Sequence, residues 1–212
     1  MEKKTIIILS LISIVLSLLY LLLEYYGLSR FCALHLYPCE PYIKEYSKLE
    51  HASKERVIIV LLTTVNKLKK IKPVISSLLD QTVKVNEINI LLSEKKNKEI
   101  PKYLYKVANF YYNCKGFSSL VTKERDKNTK IIVVNDEYVY GKDFVETILA
   151  ASNSFPSNII SIENNKFNYA ILLTPDDFNE DCQTCDCLSS WLKRNLNKIN
   201  IIEYKEIYKK LV

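Results

Sequence analysis

The sequence predicts an α/β domain with a mainly parallel sheet flanked by helices, preceded by one transmembrane helix. Three observations carry this expectation. Residues 5–23 are an uncharged apolar run. Several short runs of β-branched residues and leucine read as strands buried on both faces. Between the first two of them lies a segment of helical period, and strand–helix–strand order brings right-handed crossovers and parallel pairing.

Residues 5–23 contain only Thr, Ser and one Tyr as polar side chains. At the helical rise they reach roughly 28 Å, close to the hydrocarbon thickness of a bilayer. Lys3 and Lys4 precede the run, whereas only Arg30 is basic just after it. That asymmetry predicts a cytoplasmic N-terminus and a lumenal domain in the secretory pathway. Tyr25 and Tyr26 stand where an interfacial aromatic belt would. The run exceeds a signal-peptide core, and no small-x-small site precedes the two tyrosines, which favours an anchor over a cleaved signal. The expected division is a tail over 1–4, a signal anchor over 5–23, a polar stem over 24–55 and one domain over 56–212.

The domain is long enough for a real core, and three Gly and six Pro in 212 residues argue against a loop-dominated chain. The net charge of +6 is thinly spread. Lys67, Lys69, Lys70 and Lys72 read as a solvated helix face, and Lys95, Lys96 and Lys98 as a turn. No basic stripe with aromatic platforms is present, so a nucleic-acid partner is not expected. All six cysteines follow the anchor, where a lumen permits disulfides. Cys182, Cys185 and Cys187 lack a nearby fourth ligand for zinc, since His35 and His51 lie in the stem. Both histidines also precede the domain, which excludes a Ser/His/Asp triad, and no glycine-rich phosphate loop is present.

Residues 57–62 read as a buried strand. Thr63, Thr64 and Asn66 supply a turn and helix cap, and Ile71, Val74, Ile75, Leu78 and Leu79 recur at helical spacing. Strands are expected at 87–92, 107–112 and 130–134, with a short helix over 118–125. Residues 143–151 read as helix, 158–162 and 169–173 as paired strands, and 189–196 and 203–211 as helices. In parallel sheets, ligands bind at the carboxyl ends of strands. Thr63-Thr64, Ser93-Glu94 and Asn135-Asp136-Glu137 mark those ends here. Read from the residues alone, the acidic triplet suits a surface turn or a divalent cation bridging a diphosphate.

The opening strand with Thr63-Thr64, the helix Pro73-Val74-Ile75-x-Ser77-Leu78-Leu79-x-Gln81-Thr82, and Asn86-Glu87-Ile88 entering a strand resemble the start of GT-A glycosyltransferases. The strand end Asn135-Asp136-Glu137, followed by Tyr138-x-Tyr140-Gly141, resembles the acidic DxD end of that fold. The family pattern has Asp at the first and third positions, where this chain has Asn135 and Glu137. The resemblance implies a nucleotide-sugar donor and a glycan, protein or lipid acceptor. It places Thr63, Thr64, Asn135 and Asp136 at the nucleotide, Asp136 and Glu137 on Mn²⁺ or Mg²⁺, and Asp176 or Asp177 as catalytic base. Thr174-Pro175-Asp176-Asp177 also reads as a plain turn with an N-cap. The alternative to an enzyme is a non-catalytic binding or assembly module, consistent with the altered triplet.

The charge asymmetry around residues 5–23 sets a first test. A C-terminal tag should be protected from protease in sealed microsomes, and its digestion without detergent would reverse the orientation.

Overall fold

The computed structural model describes residues 3–25, 27–52, 54–93, 100–112, 128–155, 159–164, 167–175, 199–202 and 207–209. It divides into two compact units, Met1–Pro38 and Cys39–Val212.

In the first unit the apolar run forms helix α1, Lys3–Tyr25, followed by α2, Leu28–Leu36. Gly27 joins them at φ 65°, a left-handed conformation that a residue without Cβ adopts at little cost. The described side chains of α1, at residues 5–21, 23 and 24, are all exposed. Among the described residues no helix is long and apolar enough to cross a membrane.

The second unit begins within the segment expected as stem. Helix α3, Glu40–Tyr46, lays Tyr42, Ile43 and Tyr46 against the core, and Cys39 is buried in it. An apolar stripe on an otherwise polar segment is enough to dock it.

Val57, Ile58, Ile59, Val60 and Leu61 are all fully buried. Side chains alternate across a strand, so such a run needs cover on both faces and takes a central place. It forms β1, Val57–Thr63, flanked by β2, Glu87–Leu92, and β4, Lys130–Asn135, with β3, Asn109–Tyr112, beyond β2. These four strands are parallel. The sheet continues through β7, Phe167–Leu173, β6, Ile159–Asn164, and β8, Ile199–Ile202, in the order β3-β2-β1-β4-β7-β6-β8. Only β7 runs against the rest. The three strands at 57–62, 87–92 and 130–134 therefore lie side by side as expected, and the segments at 158–162 and 169–173 do pair.

One face of the sheet carries Val57, Ile59, Leu61, Ile88, Ile90, Ile132 and Val134. Against it pack Val74, Ile75, Leu78 and Leu79 of α4, Lys72–Leu79, and Phe144, Val145 and Ile148 of α5, Phe144–Ser154. Ile58, Val60, Ile131, Val133, Ile159, Ile171 and Leu173 form the opposite cluster. Each such side chain contributes about 1.5–3 kcal/mol on burial, so the β1–β4 centre dominates the stability of the domain.

Some local expectations are corrected. The segment before α4 is a 3-10 turn, Val65–Lys70; Pro73 in the first turn of α4 starts the α-helix afresh, because it has no N–H to give a preceding turn. Part of the stretch expected as a helix over 203–211 is instead a strand, β9, Ile207–Lys209, antiparallel to an unforeseen short strand β5, Tyr138–Tyr140. A three-residue pairing leaves too little periodicity to read. The expected helices over 118–125 and 189–196 lie outside the described residues, as do Glu94, Asp176 and Asp177.

Tyr46 fastens α3, its oxygen accepting the Val85 N–H at 2.9 Å. Burial pushes its hydroxyl up to about 12 from 10.0, while the Val85 N–H pulls the other way. A raised folded value means this contribution is whole below about pH 10 and lost as pH rises through about 12. From about pH 9 to about pH 11.5, the stability advantage of wild type over Tyr46→Phe should shrink by about 2 kcal/mol. Denaturant titrations of both proteins at the two pH values check this.

Candidate functional site

The register of β1 and β4 decides what meets at the carboxyl edge of the sheet. Leu62 pairs with Asn135, so the next residues on the two strands, Thr63 and Asp136, are neighbours. The Thr63 hydroxyl donates to Asp136 Oδ2 at 2.6 Å. Both residues are buried, Asp136 to 2% exposure. Such a carboxylate needs compensation, because an uncompensated buried charge is costly.

Lys67 supplies it. Its ammonium donates to Asp136 Oδ1 at 3.0 Å and to Glu137 Oε1 at 3.1 Å. The 3-10 turn brings it there: the Thr64 carbonyl accepts the Lys67 N–H at 3.0 Å. Val65 and Leu68 are sunk into the core on either side. The hydrogen bond to Asp136 is the main reason the Lys67 ammonium is held above its ordinary value, opposed by partial burial and helped by Glu137. The Glu137 contact is the weaker one. Its partners are 46% and 43% exposed, and exposed ion pairs contribute about 0–1 kcal/mol. Asp136, with a side chain 4% exposed, is the dominant partner.

The turn after β4 is fixed from behind. The Asn135 side-chain oxygen accepts the Glu137 N–H at 2.8 Å, closing an Asx turn. Tyr140 brackets the same residue. Its hydroxyl donates to the Asn135 carbonyl at 2.9 Å and accepts the Asn135 N–H at 2.8 Å. Tyr140 is fully buried, and burial drives its hydroxyl far above the ordinary tyrosine range; it acts as a neutral hydrogen-bonding post.

Helix α4 holds this post in turn. The Tyr140 N–H donates to Ser77 Oγ at 3.1 Å, while that hydroxyl donates to the Val74 carbonyl at 2.7 Å. The Gln81 amide donates to the Ser77 and Gly141 carbonyls at 2.8 and 2.7 Å, and its oxygen accepts the Val145 N–H at 3.1 Å. The Ser-Leu-Leu-x-Gln pattern is thus a pair of buried polar bolts between α4 and the segment after the acidic turn.

Of the residues expected at the site, Thr63, Asp136 and Glu137 are brought together, Thr64 contributes its carbonyl, and Asn135 shapes the turn. Asp176 and Asp177 lie outside the described residues. Strand β7 ends with Leu173 paired to Ile131, at the sheet edge opposite Asp136. The sequence reading puts Lys67 on a solvated helix face and holds Ser77 and Tyr140 only within the family resemblance, whereas the structure gives all three a place at the site. Nothing local marks Lys67 among its neighbouring lysines, because its partners lie 69 and 70 positions away.

The residues present do not fit an open Mn²⁺ or Mg²⁺ site. Asp136 has one oxygen held by Thr63, and its other oxygen and one from Glu137 converge on an ammonium. No group of three or more His, Cys, Asp or Glu side chains suited to a metal is found among the described residues.

No protein-family model matches the chain, and neither does any curated protein sequence. Solved structures do. S. aureus TarS is similar over 74% of this chain and 37% of its own, at 13% identity and a TM-score of 0.52. TarS 1–349 in complex with UDP matches over 72% of this chain and 59% of its own, at 13% identity and a TM-score of 0.52. Its complex with UDP-GlcNAc matches over 72% and 57%, at 14% identity and a TM-score of 0.51. The chain therefore spans less than two thirds of each of these structures. At such identities the likeness shows the fold alone, a GT-A-type fold.

Two substitutions test the arrangement. Thr63→Val keeps the shape and strips a buried carboxylate of a donor, at an expected cost of about 1.5–3 kcal/mol. Tyr140→Phe removes both hydrogen bonds to Asn135 and should cost about 1–3 kcal/mol. Denaturant unfolding reads both, and losses below about 0.5 kcal/mol would show that the turn holds without them.

Proposed function

We propose that the domain binds a nucleotide-sugar donor at the carboxyl edge of β1 and β4 and transfers its sugar to an acceptor hydroxyl on a glycan, protein or lipid. The observation that carries this reading is the convergence of Thr63, Lys67, Asp136 and Glu137 at that edge. It is supported by the fold shared with TarS, which has been solved with UDP and with UDP-GlcNAc. In this reading Thr63 and Thr64 line the nucleotide crevice, and Asn135 with Asp136 closes its floor. Fixing donor and acceptor in one geometry is a large part of catalysis for such a transfer, and the hydrogen-bonded frame behind Asn135 gives that rigidity.

The membrane anchor expected from residues 5–23 belongs to the same proposal. It rests on the absence of charge in that run and on the exposed apolar side chains of α1. Anchoring would hold the domain beside a membrane-borne acceptor.

One observation favours a second reading, a non-catalytic module. Asn135 and Glu137 replace the family's two aspartates, and both acids are already engaged by Lys67. A titration of the detergent-solubilised full chain with UDP-, GDP- and CMP-sugars separates the readings. A transferase binds one donor saturably and releases the free nucleotide when acceptor glycans are supplied. A module that binds without release supports the second reading. Absence of binding to every donor by the folded chain overturns the donor site itself.

A further inference from the structure

We infer that Lys67 is the resident cation of this site: its ammonium stands between Asp136 and Glu137 where a divalent metal would have to sit, and it excludes Mn²⁺ and Mg²⁺. The inference stands on the geometry of the acidic pair. Only its bearing on donor binding rests on the glycosyl-transfer reading.

The lysine is built in rather than met by chance at a surface. Its backbone is tied to Thr64, and the turn that carries it is pinned by the buried Val65 and Leu68. Its side chain reaches to two carboxylates in the turn after β4. The metal alternative fails on three physical counts. The oxygens stand 3.0 and 3.1 Å from the ammonium nitrogen, whereas Mg²⁺ requires about 2.1 Å. Asp136 cannot swing freely to close that gap, because its other oxygen is held by Thr63 and the side chain is only 4% exposed. Finally, a divalent ion entering beside the ammonium meets its repulsion, while displacing the ammonium gives up the hydrogen bonds of a buried carboxylate.

The charges differ in kind as well as size. An ammonium has three N–H donors and no open coordination position. Two of them are directed at Asp136 and Glu137, and the side chain remains 43% exposed, so the third can reach a phosphoryl oxygen of a bound diphosphate. The site then meets the donor through a fixed point charge, and donor binding is indifferent to added metal or to a chelator.

The test measures bound Mn²⁺ by the loss of its free-ion electron paramagnetic signal, using the full chain as wild type, Lys67→Met and Lys67→Arg. The wild type should bind no Mn²⁺ at this pair up to about 1 mM, a range in which weak carboxylate sites begin to fill. Removing one positive charge about 4 Å away should raise Mn²⁺ affinity at least about tenfold in Lys67→Met, even with solvent screening. Lys67→Arg keeps the charge and should exclude Mn²⁺ as the wild type does. Adding Asp136→Asn to Lys67→Met should abolish the gained binding, which places it at this pair. Should Lys67→Met fail to fold by circular dichroism, the wild type and Lys67→Arg still decide. Wild-type Mn²⁺ binding lost on Glu137→Gln overturns the inference. UDP and UDP-sugars are titrated in parallel with EDTA or Mn²⁺, and equal affinity in both conditions is the expected result. Nucleotide binding that requires Mn²⁺ overturns the inference. Nucleotide binding absent in every condition, with Mn²⁺ still excluded, removes the transferase reading and leaves the role of Lys67 standing.

Discussion

The pairing of β1 with β4 in one register, Leu62 opposite Asn135, is the constraint on which the rest of the domain depends. Both strands are aliphatic on both faces, so the sheet must be covered on each side. A shift by one residue would turn every side chain of a strand to the other face. On these strands hydrophobic sorting alone would tolerate such a slip, since both faces are apolar. What distinguishes the registers is polar: only this one brings the Thr63 hydroxyl to Asp136 and the Asn135 turn beneath Tyr140. Apolar burial thus supplies the stability of the sheet centre, and a few hydrogen bonds at its end select the alignment.

Those hydrogen bonds are buried and chained, which makes them consequential out of proportion to their number. A typical internal hydrogen bond contributes about 1 kcal/mol net, but leaving a buried partner unsatisfied costs about 1–3 kcal/mol. Ser77, Tyr140 and Asn135 form one chain from helix α4 to the acidic turn, and Gln81 ties the same helix to Gly141 and Val145. Helix, short strand and turn are therefore tied to one another by buried hydrogen bonds. A site meant to hold a charged ligand in fixed geometry gains from this, since a displacement of about 1 Å can already be costly for catalysis.

Electrostatics at the edge follow from unequal burial. Asp136 is nearly closed off and Glu137 is half open, so the same ammonium serves the two acids differently. Toward Asp136 it offsets a desolvated charge; toward Glu137 it is a screened surface contact. The three groups together keep one net negative charge, so an anionic ligand must be held by aimed donors and not by a general positive field. The position of Lys67 rather than the charge of the chain as a whole decides what can bind.

The sequence by itself determined the buried central strands, because runs such as Val57 through Leu61 have no polar face to give to water. It determined the amphipathic helix α4, whose apolar period is written in consecutive residues, and the fold class follows from their order. The family pattern carried Thr63, Asp136 and Glu137 to one sheet edge, where the structure brings them together. The folding of residues 39–46 onto the core, the strand pair β5–β9 and the polar chain behind Asn135 were left to tertiary structure. Lys67 is the sharpest case. In sequence it is one lysine among four on a presumed solvated face, indistinguishable by spacing or composition. Its role exists only because a turn after β1 carries it over the end of β4, to acids 69 and 70 positions further along the chain. Local pattern records the periodicity of burial, whereas the partner of a charge is set by distance in space, which only the folded sheet supplies.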